Sequence, residues 1–337
     1  MITIKKPGLL TSIQDLGRYG SQKIGVITSG VMDPISHRIA NHLVGNKESD
    51  ATIEMTMTGP SIEFNEDALI SVCGGDLSPR INKVPVHMWK PVLVKKGSRL
   101  SFAGVKHGCR TYLAIAGGFD VEEVLNSKST YLRAGIGGYK GRALKANDTI
   151  NTGKLNPYSQ KIKEQLMVRL LDQSVVEMDW SVSADLIPNP MSPSYVRVIK
   201  GRQFSLFSPD SQKSLFSERF EITNQSDRMG YRLKGPVLKF ENSTEMISEA
   251  VSHGTIQVPA EGNPIILLSD RQTTGGYPKI GQIASVDIPL MAQLKPGEYV
   301  QFVEISHEES QRLIFEKEEK LEQLKQGILL KIKQGES

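Results

Sequence analysis

The nine residues Val94-Lys95-Lys96-Gly97-Ser98-Arg99-Leu100-Ser101-Phe102 decide the fold, because the chain uses their pattern twice. Residues 294–302 repeat it position by position as Leu294-Lys295-Pro296-Gly297-Glu298-Tyr299-Val300-Gln301-Phe302. In each copy a turn with glycine is followed by a short segment typical of a β-strand. Landmarks that recur in order along one chain indicate an internal duplication.

Other landmarks recur in the same order on both sides. Glu54 precedes Gly59 by five positions, and Glu249 precedes Gly254 by five. An apolar segment at 68–70 ends sixteen positions after Glu54 (70 minus 54), and one at 264–266 ends seventeen after Glu249 (266 minus 249). The alternative is chance similarity between β-rich segments. We interpret the chain as two related β domains.

The surrounding pattern is that of many short strands, which is typical of a barrel or a sandwich. Strands are expected at 53–57, 61–64, 69–72, 92–95 and 100–102, separated by glycine turns. Asp33 followed by Pro34 predicts a helix over about 34–44. Apolar spacing predicts further helices at 161–171 and 308–333. The expected organisation is a first β domain at 1–150 with a Gly-rich insertion, a linker at 151–194, a second β domain at 195–306 and a C-terminal amphipathic helix at 307–337.

Composition excludes several functional classes. The formal net charge is +4, from 41 basic and 37 acidic residues that are scattered along the chain, so a nucleic-acid partner is not expected. No signal peptide and no 18-residue apolar run are found, so neither secretion nor membrane spanning is expected. The two cysteines form no CxxC pair, which indicates reduced thiols and a cytoplasmic protein. The six histidines are dispersed, and no metal site is expected.

Candidate functional residues gather in a polar loop at 270–279. The loop follows an apolar run at 265–268 that reads as a buried strand, and its two glycines let backbone N–H groups approach a ligand. Such a loop can hold an oxyanion, although a hydrogen-bonded turn is the alternative. A second polar loop at 11–20 brings Gln14, Asp15 and Arg18 together, with a surface turn as its alternative. The glycine-rich stretch 128–142 is no Walker loop, and it forms either an anion nest or a plain connection.

Several motifs together resemble one family. They are residues 8–18, 29–33, 41–46, 226–233 and 270–279. The resemblance is to the KipA family, also described as the allophanate hydrolase subunit 2 or biotin-dependent carboxyltransferase family, which includes the C subunit of bacterial 5-oxoprolinase. It implies a mainly β protein with two tandem cyclophilin-like β-barrel domains, a few short helices and a C-terminal helix. The chain departs from the usual family pattern at Asn126 and Lys128, where glycine and arginine are usual.

The function that the resemblance implies is that of the C subunit of an ATP-dependent 5-oxoprolinase, which hydrolyses 5-oxoproline to L-glutamate. The chain is then active only in complex with the KipI-like B subunit and the A subunit of that enzyme, and ATP is the co-substrate. The catalytic candidates are Asp227, Arg228, Glu249, Asp270, Arg271 and Lys279. The candidates for binding the small-molecule substrate are Gln14, Asp15, Arg18, Gln272, Thr273, Thr274, Gly275, Gly276 and Tyr277.

The roles within this set follow from residue chemistry. Arg228, Arg271 and Lys279 can meet a carboxylate or phosphate, and the carboxylates can transfer a proton or orient those cations. The threonines and glycine N–H groups can hold a developing oxyanion. Two other functions stay open. One is carboxyl transfer from a biotin carried by another protein, and the other is binding of a KipI-like inhibitor, which relieves inhibition of a sporulation sensor kinase.

Overall fold

A computed structural model describes residues 1–170, 173–188, 194–241 and 246–334. The chain forms two compact units that are not continuous in sequence. The first comprises Met1–Arg18, Asp33–Pro188 and Glu319–Ser337, and the second comprises Tyr19–Met32 and Asn189–Glu318. The segment at 19–32 therefore belongs to the second unit, although it is close to the N-terminus.

The first unit contains a seven-stranded sheet and a six-stranded sheet. Its strands in chain order are β1 (Ile2–Lys6), β2 (Leu10–Gln14), β3 (Thr52–Thr56), β4 (Ser61–Phe64), β5 (Ala68–Asp76), β6 (Pro79–Ile81), β7 (Val84–Pro85), β8 (Val92–Val94), β9 (Arg99–Phe102), β10 (His107–Ile115), β11 (Phe119–Asp120), β12 (Thr149–Thr152) and β13 (Val175–Glu177). The sheet orders are β11-β12-β1-β4-β9-β6-β7 and β13-β8-β5-β10-β3-β2.

Successive side chains of a β-strand point to opposite faces of the sheet, and this gives the first unit three layers. Ala68, Ile70 and Val72 of β5 point into a core shared by both sheets. Leu69 and Cys73, on the opposite face, pack in a second cluster with helices α1 (Pro34–Leu43) and α2 (Pro157–Leu170). The side chain of Asp33 caps α1 by accepting a hydrogen bond from the Ser36 N–H, as expected for an Asp-Pro helix start.

Seven strands of the second unit close into a barrel. They are β14 (Ser194–Lys200), β15 (Arg219–Ile222), β16 (Gly230–Lys234), β18 (Thr255–Gln257), β19 (Ile265–Leu267), β21 (Lys279–Ile283) and β22 (Tyr299–Glu304), in the order β14-β21-β18-β19-β16-β15-β22. Outside the barrel, β17 (Glu249–Ala250) pairs with β20 (Thr274–Gly275). Helices α3 (Pro209–Ser217) and α4 (Ile288–Gln293) complete the unit, whose core also contains Met32.

The C-terminal helix α5 (His307–Gln334) contributes residues to both units. In the first unit its Leu321, Ile328 and Ile332 are buried in the cluster that contains α1 and α2. Among the described helices, none combines the length and apolar character needed to cross a bilayer. The mainly β class, the barrel of the second unit and the C-terminal helix are confirmed.

The repeated stretch folds into the same turn in both units. Gly97 and Gly297 have positive φ angles of 81° and 87°. The N–H of the next residue bonds to the carbonyl of Lys95 or Lys295, at 3.1 Å in each case. The glycine N–H itself bonds to the end of a paired strand, at Phe64 in one unit (2.7 Å) and Ile222 in the other (2.8 Å). This landmark of the duplication is therefore preserved in three dimensions.

The glutamate landmark does not mark equivalent positions. Glu54 is buried on β3 within the six-stranded sheet, whereas Glu249 lies on the two-stranded ribbon outside the barrel. Equal spacing in sequence did not reveal this difference in strand pairing. Within the segment predicted as a linker, 157–170 form α2 and 175–177 form β13, whereas 189–193 lie outside the described residues. The four-segment domain division stays a prediction.

Candidate functional site

The loop at 270–279 is tied down at both ends and in its middle. It begins after β19, and β20 within it pairs with β17 through Glu249 opposite Gly275. The Val251 N–H adds a hydrogen bond of 3.2 Å to the carbonyl of Thr273. The loop is thus an ordered wall, which is what a site needs if binding groups are to be held in place before a ligand arrives.

This wall borders a cavity of about 620 Å³ in the second unit, which we call the barrel cavity. Its volume lies within the usual range of small-molecule sites, about 300–1,000 Å³. The structure brings together here seven of the predicted residues: Asp227, Arg271, Gln272, Thr274, Gly275, Gly276 and Tyr277.

Arg271 is the dominant charge of the barrel cavity. Its Nη1 donates to the carbonyl of Leu268 at 3.2 Å, while its enclosed Nε has no hydrogen-bond partner. Among the described residues no carboxylate forms an ion pair with it. Burial lowers the pKa of the guanidinium, and the nearby Tyr19 opposes this effect. Arginine nevertheless stays charged in proteins, so an uncompensated cation lines the cavity.

Two further groups give the cavity its polarity. Arg232 lies on its wall, is exposed on β16 and forms no ion pair within the described residues. Asp227 uses Oδ1 to accept the N–H groups of Met229 (2.8 Å) and Gly230 (3.2 Å). This turn leaves Oδ2 of Asp227 for a ligand. Two cations against one carboxylate make an environment that favours an anion.

Arg228 and Asp270, both catalytic candidates, form a buried ion pair that does not line the cavity. Arg228 Nε and Nη2 contact the two Asp270 oxygens at 2.9 and 3.1 Å. Ser29 donates to Asp270 Oδ1 at 2.7 Å, and Arg228 Nη2 donates to the carbonyl of Gly30 at 2.5 Å. These contacts hold the 19–32 segment against the loop. The geometry gives the pair an orienting position, and its catalytic role stays a prediction.

Glu249 and Lys279 form a second charged cluster beside the ribbon. Lys279 Nζ lies 2.9 Å from Glu249 Oε2 and 2.9 Å from the carbonyl of Ala250. Arg202 lies 3.5 Å from the other oxygen of Glu249. The hydrogen bond from Lys279 lowers the pKa of Glu249, which makes that carboxylate a poorer base near neutral pH. Neither residue lines the barrel cavity, and their catalytic role stays a prediction.

Gln14, Asp15 and Arg18 lie in the first unit, where they hold the 124–130 segment. Asp15 accepts hydrogen bonds from Ser127 Oγ at 2.7 Å and from the Lys128 N–H at 2.6 Å. Arg18 donates to the carbonyls of Val124 and Ser129, and Gln14 donates to that of Thr130. These polar groups are used in folding the insertion, and substrate binding by them stays a prediction. The carbonyl of Thr273 accepts from the N–H of Val251, which follows β17, and Thr273 does not line the cavity.

Sequence reasoning missed three residues of this region. Arg232 could have been found from strand alternation, because Tyr231 and Leu233 on either side are buried in the barrel. Gln257 donates to the carbonyl of Tyr277 at 3.0 Å, and a Cβ on Gly275 would lie 2.5 Å from its Nε2. His253 has an enclosed Nε2 without a partner, and burial first, then Arg271 and Arg228, lower its pKa to about 3. No local sequence pattern predicts the positions of Gln257 and His253 beside the loop.

Among the described residues no group of three or more His, Cys, Asp or Glu is arranged to hold a metal ion. The barrel cavity instead offers guanidinium groups, hydroxyls and a carboxylate, which is chemistry for binding and orienting an anionic organic molecule.

Comparison with known proteins gives consistent results. The family model described as "Carboxyltransferase domain, subdomain A and B" matches residues 24–304. The C subunit of 5-oxoprolinase from Escherichia coli (strain K12) is 34% identical over 324 residues, which cover 96% of this chain and 97% of that one. The urea amidolyase of Saccharomyces cerevisiae is also 34% identical, over 93% of this chain but only 17% of that protein.

A solved structure shows the same architecture. The urea amidolyase of K. lactis superimposes with a TM-score of 0.84 at 30% sequence identity, over 95% of this chain and 20% of that chain.

Proposed function

Because the chain belongs to the carboxyltransferase domain, subdomain A and B family, we propose that it is the C subunit of an ATP-dependent 5-oxoprolinase. Together with the A and B subunits it opens the lactam of 5-oxoproline to give L-glutamate. Two relatives that are named as C subunits of 5-oxoprolinase support this proposal, because each aligns over at least 96% of this chain and at least 97% of its own length. The urea amidolyase relative, by contrast, is a much longer protein.

The observation that carries the proposal is the uncompensated charge of Arg271 in the barrel cavity. 5-Oxoproline bears one carboxylate, and its unactivated lactam resists water, so ATP serves to phosphorylate the lactam oxygen. A guanidinium without a counter-ion can bind the substrate carboxylate or the phosphorylated oxygen. Its two parallel N–H donors then fix the orientation of the bound group. Thr274 and the glycine loop lie on the same cavity and can stabilise the reacting oxygen. The proposal places the ATP site on no residue of this chain.

The test is reconstitution with the A and B subunits, followed by an assay of 5-oxoproline-dependent ATP hydrolysis. The Arg271→Gln complex should lose about a hundredfold or more in kcat/KM, because removing one charged donor from a reacting site has about that effect. Arg271→Lys should recover only part, since lysine has no bidentate fork.

Arg219→Gln, at an exposed arginine of the same unit on β15, is the matched control and should keep full turnover. The proposal fails if the assembled wild-type complex with active partners shows no 5-oxoproline-dependent turnover. Unchanged turnover of a correctly assembled Arg271→Gln complex would remove the barrel cavity from the reaction.

A second candidate function is carboxyl transfer, which the family description and the urea amidolyase relatives favour. The guanidinium groups of Arg271 and Arg232 would then hold the carboxyl group that a biotin on another protein supplies. Transfer of labelled carboxylate from a carboxylated biotin protein to an acceptor, without ATP-dependent lactam opening, would select this function.

A further inference from the structure

A second cavity, of about 610 Å³, opens in the first unit where β5 ends. We call it the first-unit cavity. It lies between the β6–β7 hairpin and the connection from β9 to β10, and no residue predicted for a site from the sequence lines it. Its apolar wall includes Val86, Met88, Trp89 and Val105. A volume of this size suits a small molecule rather than an ion or a nucleic acid.

Trp89 is held in this wall in an unusual conformation. Its φ angle is +64°, a region that bulky residues rarely adopt. Two backbone hydrogen bonds keep it there, from its N–H to the carbonyl of Val72 (2.9 Å) and from Val182 N–H to its own carbonyl (3.0 Å). Ser78, also on the cavity, has a φ of +59°. Residues held in such conformations concentrate at binding sites.

Trp89 lines the cavity and also belongs to the apolar cluster that contains α1 and α2. The Trp89 side chain is only 6% exposed. Its indole N–H donates to no described residue, and the indole nitrogen is not fully enclosed by protein. Buried tryptophan usually finds an acceptor. The indole N–H is therefore a donor without a partner among the described residues, in a residue that lines the cavity.

The rim of the cavity carries a net positive charge. Lys106 pairs with Asp76, with Nζ 3.4 Å from Oδ2. Arg80 is exposed and forms no ion pair within the described part of the chain. One guanidinium charge therefore stays uncompensated, beside an apolar wall and an unpartnered N–H group.

We propose that the first-unit cavity binds a small monocarboxylate with an apolar body. The apolar wall takes the body, and Arg80 with the Trp89 N–H takes the carboxylate. A neutral ligand would leave the Arg80 charge without a counter-ion, and a dianion would exceed the single uncompensated charge. This inference does not depend on the proposed function, because it concerns residues of the other unit.

The experiment uses Trp89 as the reporter. The chain has two tryptophans, so Trp180→Phe leaves Trp89 as the single source of indole fluorescence. This full-length variant is titrated with butyrate, hexanoate and cyclohexylacetate, and with cyclohexylacetamide as a neutral match. At least one acid should cause a saturable change, with affinity at least tenfold above that of the amide. Arg80→Gln should weaken binding of that acid at least tenfold.

Arg99→Gln is the matched control, because Arg99 is a half-exposed arginine of the same unit that does not line this cavity. It should leave the affinity unchanged. Equal binding of acid and amide, or an unchanged affinity in a folded Arg80→Gln variant, would overturn the proposal. So would the absence of a saturable change with all three acids. If fluorescence then changes only on addition of the B subunit, the cavity is a protein-docking groove instead.

Discussion

At the scale of single residues, His37 shows how burial sets a charge state. The imidazole is completely buried on α1. Its Nε2 lies 2.9 Å from the carbonyl of Glu48, which can only accept, so this nitrogen carries the proton of the neutral ring. Its Nδ1 lies 2.9 Å from the Thr52 hydroxyl, which can then donate to it. Desolvation lowers the pKa of His37 to about 4, although Asp15 opposes the shift.

This lowered pKa makes stability depend on pH. The unfolded chain binds a proton at His37 near its ordinary pKa, whereas the folded chain does not, so the contribution is complete above about pH 6.5 and falls as pH decreases towards 4. Between pH 6.5 and 5 we expect this histidine to reduce the free energy of unfolding by about 2 kcal/mol. Urea unfolding at pH 7, 6 and 5 measures the loss.

The slope of stability against pH should be smaller in His37→Gln than in the wild-type chain. His107→Gln is the matched control, because the His107 side chain is exposed and forms no ion pair within the described residues. Its slope should equal that of the wild type. Identical slopes for all three chains would show that His37 does not titrate differently on folding.

Residue type in the sequence identified polar loops but not what their side chains contact. The sequence around Asp15 and Arg18 does not distinguish side chains that bind a ligand from side chains that form hydrogen bonds within the protein. Their hydrogen-bond partners at 124–130 lie more than 100 positions further along the chain. The sequence left Asp270 either a proton-transfer role or the orientation of a cation, and the structure pairs it with Arg228. Arg271 lines the barrel cavity and forms no ion pair within the described residues, and its catalytic role stays a prediction.

At the scale of elements, the two glycine turns offer a direct comparison. Gly97 and Gly297 have φ angles of 81° and 87°, and a Cβ at either would meet no atom within 4 Å. The cost of alanine is therefore conformational rather than steric. We expect Gly97→Ala and Gly297→Ala each to lower the free energy of unfolding by about 1–2 kcal/mol.

Gly327→Ala is the control for this pair of variants. Gly327 lies within α5, its φ is not positive, and a Cβ there meets nothing within 4 Å. Alanine should therefore stabilise the helix by about 1 kcal/mol. Thermal and urea unfolding of the three variants check both signs. If the alanine variants at 97 and 297 were as stable as the wild type, a positive φ angle at this glycine would not be required in either unit.

Elements with strong local signals were predictable. The helix at 34–43 follows from its Asp-Pro start, and the strand at 61–64 from its alternation between turns. Strand pairing was not predictable, because Glu54 and Glu249 share a spacing and yet lie in a central sheet and a separate ribbon. Local pattern reports burial and turn chemistry, and it carries no information about which distant strand becomes the neighbour.

At the scale of the whole molecule, the second unit depends on a distant piece of chain. Ser29, Gly30 and Met32 from the 19–32 segment supply a hydrogen bond to Asp270, one to Arg228 and part of the barrel core. Without the segment, a buried ion pair loses two polar contacts and the core loses a side chain. Breaking such a network is strongly destabilising.

We therefore expect a fragment of residues 189–318 not to fold cooperatively by itself. Addition of a synthetic peptide of residues 19–32 should restore a cooperative thermal transition, followed by circular dichroism and by dispersion of amide proton signals. A peptide with Ser29→Ala and Met32→Ser is the matched control and should restore less. A fragment that folds fully without any peptide would support an independent domain near the boundary predicted at residue 194.

Because both units are discontinuous in sequence, the segments that form each core are synthesised at different times. Met32 leaves the ribosome 238 residues before Asp270 (270 minus 32), which at about 5–20 residues per second is a delay of about 12–48 s. The first unit waits longer still, because Leu321, Ile328 and Ile332 of its core are made after Asp270. Each core therefore stays incomplete until its late segment has been made, and it exposes apolar surface that a chaperone can cover during that time.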